Sequence, residues 1–310
     1  MNCVIFGGGG FIGSAVTDRL LLDGHFVRVF ERPKVEPYRK FYQSERFEWV
    51  TGDFFSTHDV SNAIDGADAV IHLVSTTLPK GSNDDPIYDV QSNLVSTLQM
   101  LNAMVTKKIP KIVFISSGGT VYGTPIYLPI DEKHPTDPHV SYGITKLAIE
   151  KYLLLFEREH GIKATILRVA NPFGERQRIE TAQGAVTMFL YRALRSQCIE
   201  IWGDGSITRD YVYIKDVADA FALPLEYSGP KNIFNISSGL GTSLNELTEL
   251  LEEVLERVIE RRYLPGRSFD VNISILDNNL ARQELGWVPK IHLRDGIIRT
   301  MEWMKIYLAV

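Results

Sequence analysis

Short apolar runs alternate with amphipathic stretches through the first half of the chain. The runs are continuous and rich in Val, Ile and Phe, which is typical of strands that are covered on both faces. Their alternation with helix-period stretches predicts an α/β fold with a doubly wound parallel sheet of the Rossmann type. The predicted strands are Asn2–Phe6, Phe26–Phe30, Glu48–Val50, Ala69–Val74, Lys111–Ser116 and Lys163–Val169, and the predicted helices are Ile12–Asp23, Thr57–Ile64, Tyr88–Val105 and Tyr142–His160.

The rhythm of apolar and polar positions changes after Val169. Loop signals and shorter elements replace the regular alternation, so we expect a dinucleotide-binding domain over residues 1–170 and a smaller α+β substrate domain over 171–310, with some chain crossing back to the first domain. The later predicted elements are helices at Gly184–Arg195, Asp216–Leu225, Leu244–Ile259 and Leu293–Leu308, an alternating stretch at Asp210–Ile214 and an extended one at Gly266–Ile275.

Composition excludes several classes of protein. The 310 residues carry a net charge of −5, and a weakly acidic chain lacks the basic surface of a nucleic-acid binder. There is no apolar run of about 18 residues, and the N-terminus does not resemble a signal peptide. The two cysteines, Cys3 and Cys198, suggest neither a disulfide framework nor a metal site. We therefore predict a cytoplasmic protein that binds no nucleic acid, membrane or metal.

A glycine-rich segment, Gly7–Gly13, follows the first strand and opens the first helix. Glycines there allow a tight turn, a close approach of the backbone to a pyrophosphate and close helix packing, and the free N–H groups of the helix bind phosphate. The segment fits G-x-G-x-x-G from Gly8 and G-x-x-G-x-x-G from Gly7, and the pattern does not separate the two. The residues predicted to bind the cofactor here are Gly7, Gly10, Phe11, Ile12 and Gly13.

Two acidic residues follow the next strands. Glu31 lies 18 residues after Gly13, where a carboxylate accepts hydrogen bonds from a ribose hydroxyl and repels a 2′-phosphate. This favours NAD over NADP as the cofactor, although Arg32 follows directly. Asp53, at the end of the third strand, is placed to meet the adenine.

Tyr142 and Lys146 lie one turn apart at the start of a predicted helix, for which Ser141 is the predicted N-cap. A lysine there is expected to lower the pKa of the tyrosine, and a phenolate can take a proton from a sugar hydroxyl as hydride leaves the same carbon. The spacing recurs at Tyr211 and Lys215, but in a strand it separates the side chains by roughly 13 Å. We expect only the first pair to be catalytic.

Together these features resemble the extended short-chain dehydrogenase/reductases, and among them the nucleotide-sugar 4-epimerases. The resemblance covers essentially the whole chain. Further matching positions are His72-Leu73, Asn93, Thr97, Ser116–Gly123, Asn171–Gly174, Gly203–Gly205, Thr208–Val212, Arg267 and Asp270.

The resemblance implies a role for each matching site residue. Tyr142 would be the general base and acid, and Lys146 would hold the nicotinamide ribose and tune Tyr142. Asn171, Arg209 and Arg267 would bind the nucleotide diphosphate of the substrate, because guanidinium groups match phosphate oxygens.

One position departs from the family pattern. The usual catalytic Ser or Thr falls at Gly118, so the nearest hydroxyls are Ser117 and Thr120, either of which could bond the reacting 4-oxygen, and we favour Thr120. Related dehydratases and decarboxylases carry acidic residues where this chain has Gly119 and Thr120. Epimerisation or simple reduction is therefore expected.

The resemblance implies an NAD-dependent 4-epimerase that forms a transient 4-keto sugar from UDP-glucose, UDP-galactose or their N-acetyl forms. The alternatives are a 4-keto-6-deoxy nucleotide-sugar reductase that consumes NAD(P)H and a non-enzymatic NAD-sensing protein. Ser274 falls where the family limits bulk beside the sugar C2 group, so it would leave space for an N-acetyl group. Helices Tyr88–Val105 and Tyr142–His160 are expected to form a homodimer interface.

Overall fold

The computed structural model describes residues 1–78, 81–180, 184–266 and 271–308. Its contacts divide the chain into two compact units, and the chain passes between them several times. Residue 170, the predicted boundary, lies beside the passage from Arg168 to Val169. The first unit comprises Met1–Gly123, Pro135–Arg168 and Ala218–Phe234, and the second comprises Thr124–His134, Val169–Val217 and Asn235–Val310.

The first half of the chain alternates strands and helices as predicted, with small differences at the element ends. Its strands are β1 (Asn2–Phe6), β2 (Phe26–Glu31), β3 (Phe47–Thr51), β4 (Ala69–His72), β5 (Lys111–Ser117) and β6 (Lys163–Val169). Its helices are α1 (Phe11–Leu22), α2 (Thr57–Ala63), α3 (Pro86–Asp89), a π-helix (Val90–Val95), α4 (Ser96–Lys107) and α5 (Ser141–His160). No helix in the described ranges is both long and apolar enough to cross a bilayer.

The second half of the chain has shorter elements. Its strands are β7 (Asn171–Phe173), β8 (Ile199–Trp202), β9 (Thr208–Tyr213), β10 (Ile233–Ile236), β11 (Gly241–Ser243), β12 (Arg261–Leu264) and β13 (Ile273–Ser274). Its helices are α6 (Ala185–Leu194), α7 (Ile214–Ala222), a 3₁₀ turn (Leu223–Leu225), α8 (Leu244–Leu255), α9 (Asn279–Leu285) and α10 (Leu293–Tyr307).

The first unit is built on a seven-stranded sheet in the order β10-β6-β5-β4-β1-β2-β3. The pairs that β1 makes with β2 and β4 are parallel, and Phe6 lies beside both Phe30 and His72. This order reverses direction between β1 and β4, which is the place where doubly wound sheets bind their ligands, at the carboxyl ends of the strands. The predicted Rossmann-type sheet is confirmed.

The core of the first unit lies between the sheet and its helices. The rings of Phe6 and Phe30 have centroids 5.0 Å apart, and those of Phe6 and Phe54 are 5.4 Å apart. Each of these side chains is at most 7% exposed. Because β1 is buried on both faces, its sequence is a continuous apolar run. This packing also fixes the end of β1, from which the glycine turn begins.

The predicted helix Tyr88–Val105 is a composite of α3, the π-helix and α4. The side chain of Asp85 caps its start by accepting a hydrogen bond from Tyr88 N at 2.9 Å, and Pro86 occupies the first turn. A π-helix accommodates an extra residue within the helical path and often occurs at functional sites. The residues before the π-helix, including Asp89, therefore lie on a different face from the one they would occupy in a continuous α-helix of the same sequence.

The second unit contains a four-stranded sheet in which β9 pairs with β11, β13 and β7. β8 and β12 form a separate parallel pair. The sequence did not predict β7, β8, β10, β11, β12 or α9, and it extended α8 to Ile259 although the helix ends at Leu255. The expected extended segment Gly266–Ile275 contains only β13 within its described residues.

Candidate active site

The turn between β1 and α1 requires glycine at some positions and not at others. Gly7 has a φ of +84°, and a Cβ on Gly13 would lie 2.1 Å from Gly7 O, so both glycines are demanded by the turn itself. A Cβ on Gly8 would lie 2.6 Å from the side chain of Val29. A Cβ on Gly10 would meet only Gly7 O, at 3.3 Å. Packing thus excludes a side chain at Gly8 as well, but only Gly7 has the left-handed backbone that favours glycine, which supports the spacing that starts at Gly7. Open space lies beside Gly10.

Two further features suit this turn to a dinucleotide. Gly10 is the N-cap of α1 and offers no side chain, so the first-turn N–H groups near Phe11 and Ile12 are not capped by it. The carboxylate of Glu31, at the end of β2, accepts a hydrogen bond from Gly9 N at 3.2 Å and so lies beside the glycines. These are the places where pyrophosphate and adenosine ribose bind in such folds.

Asp53, the predicted adenine contact, is exposed after β3. Its Oδ1 accepts a hydrogen bond from Phe55 N at 3.0 Å. Its backbone N donates to Asp59 Oδ2 at 2.9 Å. The loop after β3 is therefore held by the carboxylates of Asp53 and of Asp59, which lies on α2.

Tyr142 and Lys146 occupy the first turns of α5. The Lys146 Nζ lies 5.6 Å from the centroid of the Tyr142 ring and 4.7 Å from that of Phe114. It donates a hydrogen bond to Ile115 O at 3.1 Å, and the Lys146 side chain is only 3% exposed. The spacing that predicted a Tyr–Lys pair therefore produces one, anchored to β5.

The protonation of this pair differs from the expectation. Burial and, to a smaller extent, the carboxylate of Asp89 raise the pKa of Tyr142 to about 12, against the opposing effect of a hydrogen bond with Ser75. Burial lowers the pKa of Lys146 to about 8, against the carboxylates of Asp89 and Glu150. The prediction that Lys146 lowers the pKa of Tyr142 is wrong for the protein alone, because desolvation disfavours the phenolate.

The predicted N-cap of α5 is also wrong. The cap position is Val140, and Ser141 is the first helical residue. The free N–H groups of the helix are satisfied by a distant loop, since Ser141 N donates to Asn83 Oδ1 at 2.8 Å and Tyr142 N donates to Ser82 Oγ at 3.0 Å. The Tyr–Lys helix thus starts on partners that lie far away in the sequence.

A buried carboxylate, Asp89, holds the same helix and was missed in the sequence. It is fully buried. Its Oδ2 accepts hydrogen bonds from Ser141 Oγ and Thr145 Oγ1, each at 2.7 Å. Its Oδ1 accepts one from Asn93 Nδ2 at 3.0 Å and another from Thr77 Oγ1. We call Asp89 and these four partners the Asp89 cluster.

A second buried charge joins α5 to the sheet. Arg168 Nε donates to Glu150 Oε1 at 3.0 Å, and Arg168 Nη2 donates to Glu150 Oε2 at 2.6 Å. Ser116 Oγ on β5 also donates to Glu150. The side chains of Glu150 and Arg168 are 0% and 2% exposed. An arginine within the largely apolar run at the end of β6 could have signalled such a partner, because charges are seldom buried unpaired.

The two candidate hydroxyls lie at the end of β5 and in the turn that follows. Ser117 ends β5, and its carbonyl oxygen accepts from Thr120 N at 3.3 Å. Within the described part of the chain, the buried Oγ1 of Thr120 has no hydrogen-bond partner. A Cβ on Gly119 would meet nothing within 4 Å. The unsatisfied hydroxyl of Thr120 could therefore bond an incoming ligand beside open space.

The predicted substrate residues that the structure describes share the sheet around β9. Asn171 on β7 lies opposite Tyr211, and Ser274 on β13 lies opposite Arg209. Asn171 Nδ2 donates to Asp210 O at 3.0 Å. The pairings therefore bring Asn171, Arg209 and Ser274 onto adjacent strands.

The remaining residues of this set behave differently. Arg209 Nη1 donates to Val271 O at 2.6 Å, which ties β9 to the segment before β13. Arg267, the third predicted diphosphate ligand, lies outside the described residues. The hydroxyl of Tyr211, a residue expected not to be catalytic, is buried and has no hydrogen-bond partner in the ranges that the structure describes. Lys215 pairs with Glu175 at 3.6 Å.

The chain is similar to known proteins in both sequence and fold. The family model described as the NAD dependent epimerase/dehydratase family matches residues 3–237. A putative UDP-glucose 4-epimerase of Methanocaldococcus jannaschii is 37% identical, over 97% of this chain and 98% of that protein. A dTDP-4-dehydro-6-deoxyglucose reductase of Escherichia coli is 34% identical, over 95% of this chain and 94% of that protein. The solved structure of UDP-glucose 4-epimerase from Thermotoga maritima with UDP-glucose is 34% identical, with a TM-score of 0.93 over 99% of this chain and 100% of that one.

Proposed function

The chain belongs to the NAD-dependent epimerase/dehydratase family, and from this membership we propose that it is a nucleotide-sugar 4-epimerase that acts through a transient 4-keto sugar. Its cofactor is NAD. The observation that carries the proposal is the Tyr142–Lys146 pair, with Lys146 Nζ 5.6 Å from the Tyr142 ring, in a chain that also has the bare glycine turn and Glu31. We propose that Gly7, Gly10, Phe11, Ile12, Gly13, Glu31 and Asp53 bind NAD.

In this proposal Tyr142 moves the proton of the sugar 4-hydroxyl. Its Oη takes that proton as the 4-keto sugar forms and returns it when the 4-hydroxyl is restored. When bound, NAD supplies a hydride acceptor and a positively charged ring, and positive charge beside a phenol favours the phenolate. Lys146 Nζ, fixed by Ile115 O, adds a second positive charge and a donor for a ribose hydroxyl.

Thr120 is the favoured partner of the reacting 4-oxygen, ahead of Ser117. Support comes from its buried Oγ1, which has no hydrogen-bond partner among the residues that the structure describes. Burying a hydroxyl without a hydrogen-bond partner destabilises the protein. A ligand oxygen that forms a hydrogen bond with this hydroxyl removes that cost, which favours binding of the ligand. The absence of a carboxylate at Gly119 and Thr120 leaves no acid there for eliminating water from the sugar.

The nucleotide-sugar is assigned to residues of the β9 sheet. We propose that Asn171, Arg209 and Arg267 bind the diphosphate and that Ser274 leaves space beside the sugar C2 group. A firm diphosphate contact allows the 4-keto sugar to turn without leaving the enzyme, so that hydride can return to its other face. The substrates would be UDP-glucose and UDP-galactose, or their N-acetyl forms.

A 4-keto-6-deoxy nucleotide-sugar reductase is the second candidate function. It is favoured by the Escherichia coli dTDP-4-dehydro-6-deoxyglucose reductase, which is 34% identical to this chain. It would use Tyr142 and Lys146 in one direction only and would consume NADH or NADPH. A cytoplasmic location stays a prediction from the sequence.

Turnover without added cofactor tests the two functions against each other. The purified protein is incubated with UDP-glucose and, separately, with UDP-N-acetylglucosamine, and the 4-epimers are separated chromatographically. We expect product from at least one sugar without external nicotinamide, because the hydride is returned in each cycle. If neither sugar reacts, yet NADH or NADPH is consumed with a 4-keto-6-deoxy nucleotide sugar, the protein is the reductase. Failure on UDP-N-acetylglucosamine alone would refute the role given to Ser274.

We further propose that the protein is a homodimer in which the helical segments Tyr88–Val105 and Tyr142–His160 pair with their copies. Large apolar side chains are exposed on or directly beside these segments, with Ile87 72%, Val95 41%, Ile144 56% and Tyr152 38% exposed. Apolar patches of this kind mark protein interfaces.

Light scattering is expected to give about twice the chain mass of 35.0 kDa. Ile144→Glu should yield monomers, because it places a charge in the centre of the interface. Leu22→Glu, on α1, is the matched control, since Leu22 is 80% exposed and lies on another helix. A monomeric wild-type protein, or a dimer that survives Ile144→Glu, would contradict this assignment.

A further inference from the structure

The Asp89 cluster places a full negative charge in the interior, close to the catalytic helix. A buried carboxylate is costly unless hydrogen bonds compensate it, and all four donors here come from side chains. Two of them, Ser141 and Thr145, flank Tyr142 and precede Lys146 on α5. The carboxylate therefore holds the turn of α5 that carries the Tyr142–Lys146 pair.

The cluster also links three elements that are distant in the sequence. Asn93 Oδ1 accepts a hydrogen bond from Thr76 N at 3.0 Å, while its Nδ2 donates to Asp89. Thr77, next along that loop, donates to Asp89 as well. The loop after β4, the junction of α3 with the π-helix, and the start of α5 thus converge on one side chain.

We propose that Asp89 is a positioning residue for the reaction: it orients the start of α5 and supplies the negative charge against which Tyr142 and Lys146 are held. The consequence for catalysis rests on the proposed function, whereas the electrostatic consequence does not. Nothing in the sequence pattern assigned a role to Asp89, because its partners lie up to 56 residues away.

The charged groups around the pair determine the expected sign. The charge of Asp89, which is hydrogen-bonded to Ser141 and Thr145, raises the pKa of both Tyr142 and Lys146. Glu150 also raises the pKa of Lys146, but its carboxylate is paired with Arg168. Another titratable group beside the pair, within the described residues, is His72, whose pKa is lowered to about 3 by burial and by Lys146, so it is neutral. Removing the Asp89 charge should therefore lower the pKa of Lys146 and of Tyr142.

Asp89→Asn tests the charge with little change of shape. The amide can point its oxygen at Asn93 and Thr77 and its NH₂ at Ser141 and Thr145, whose hydroxyls can rotate to accept. We expect the pKa of Lys146 to fall below its value of about 8 by on the order of one pH unit. The measurement is an NMR titration of lysine side chains in the purified protein, with the Lys146 signal assigned by its loss in Lys146→Met.

The high-pH limb of the kcat profile should move to lower pH by a similar amount. The matched control is Asp85→Asn, which removes an equal charge one turn earlier, where the side chain is exposed and screened. It should leave the titration of Lys146 unchanged. An unmoved Lys146 pKa in Asp89→Asn, or an equal movement in the control, would overturn the electrostatic part of the proposal.

Thr145→Val tests the positioning part and keeps the charge of Asp89. It removes one hydrogen bond to the carboxylate with almost no change of volume. We expect kcat to fall about fivefold, the factor that corresponds to one net hydrogen bond, with KM and the pH profile unchanged. An unchanged kcat would refute positioning by Asp89. A shifted pH profile would show that the positioning of α5 and the electrostatic effect on Lys146 cannot be separated, contrary to the proposal.

The titration separates this proposal from the proposed function, because it needs no substrate. If the wild type converts neither sugar but Asp89→Asn still shifts the Lys146 titration, the proposed 4-epimerase function is refuted. The electrostatic effect of Asp89 on Lys146 then still stands. If the wild type is an epimerase and the titration does not move, the electrostatic part of the proposal is lost, and the kcat of Thr145→Val decides the positioning part.

Discussion

Tyr142→Phe is expected to lower kcat by a factor of about 10²–10⁴, with the fold and the bound NAD unchanged. The substitution removes only the phenolic oxygen that we propose moves the proton of the 4-hydroxyl. The ring keeps its place at the start of α5, where the helix is held by Ser82 and Asn83 rather than by the hydroxyl of Tyr142. The measurement is kcat and KM on whichever sugar the wild type converts, with cofactor content recorded by absorbance.

Two further variants calibrate that result. Tyr152→Phe removes the same atom from the same helix at a position that is 38% exposed, and it should leave kcat unaltered. Thr120→Val should reduce kcat by a smaller factor than Tyr142→Phe, since Thr120 is assigned a hydrogen bond and not the proton transfer, and Ser117→Ala by less still. Near-wild-type turnover in Tyr142→Phe would remove the tyrosine from the mechanism. A larger loss in Ser117→Ala than in Thr120→Val would reverse the order of the hydroxyls.

Arg168→Met is expected to destabilise the protein by roughly 3–5 kcal/mol. It leaves Glu150, which is fully buried, without the guanidinium that compensates it. Because whole domains are stable by only about 5–15 kcal/mol, a loss of this size should be visible as a large shift in the denaturant midpoint. The measurement is urea unfolding followed by circular dichroism, in the presence of excess NAD for every variant.

The double variant Glu150→Gln/Arg168→Met provides the control. It removes both charges, and replacing both members of a buried pair is far less costly than removing one. We expect it to recover most of the stability that the single variant loses. A double variant as unstable as Arg168→Met would mean that lost packing against Tyr122, whose ring centroid is 4.7 Å from the guanidinium, is the cause.

The parts of the site that the sequence predicts are those that depend on neighbours along the chain. The glycine turn follows from a strand and a helix with glycines between them, and Glu31 follows from the end of the next strand. Tyr142 and Lys146 meet because one helical turn separates them. Each of these features needs only local geometry and the general rule that strand ends meet at one edge of a parallel sheet.

The parts that were missed or wrong depend on contacts across the fold. Ser141 has the chemistry of an N-cap, but a loop 58 residues earlier supplies the caps and frees its hydroxyl for Asp89. The pKa of Tyr142 follows from burial, which a lysine four residues away does not reveal. Over a few residues, the spacing of apolar positions is similar in a π-helix and in an α-helix. The pattern therefore predicts a single helix over Tyr88–Val105.

The π-helix at Val90–Val95 has a consequence for how this region can change in length. Substitutions at its exposed positions, such as Val90 and Gln91, leave the backbone path intact. Deleting one residue within it would restore a continuous α-helix, and everything before the deletion would keep its orientation relative to α4, because the π-helix takes up the extra residue. Asp89 would then still lie beside Ser141 and Thr145. A deletion within the regular α4 would instead rotate everything before it by about 100°, so we expect single-residue alignment gaps among homologues to fall within Val90–Val95 and not elsewhere in this helix.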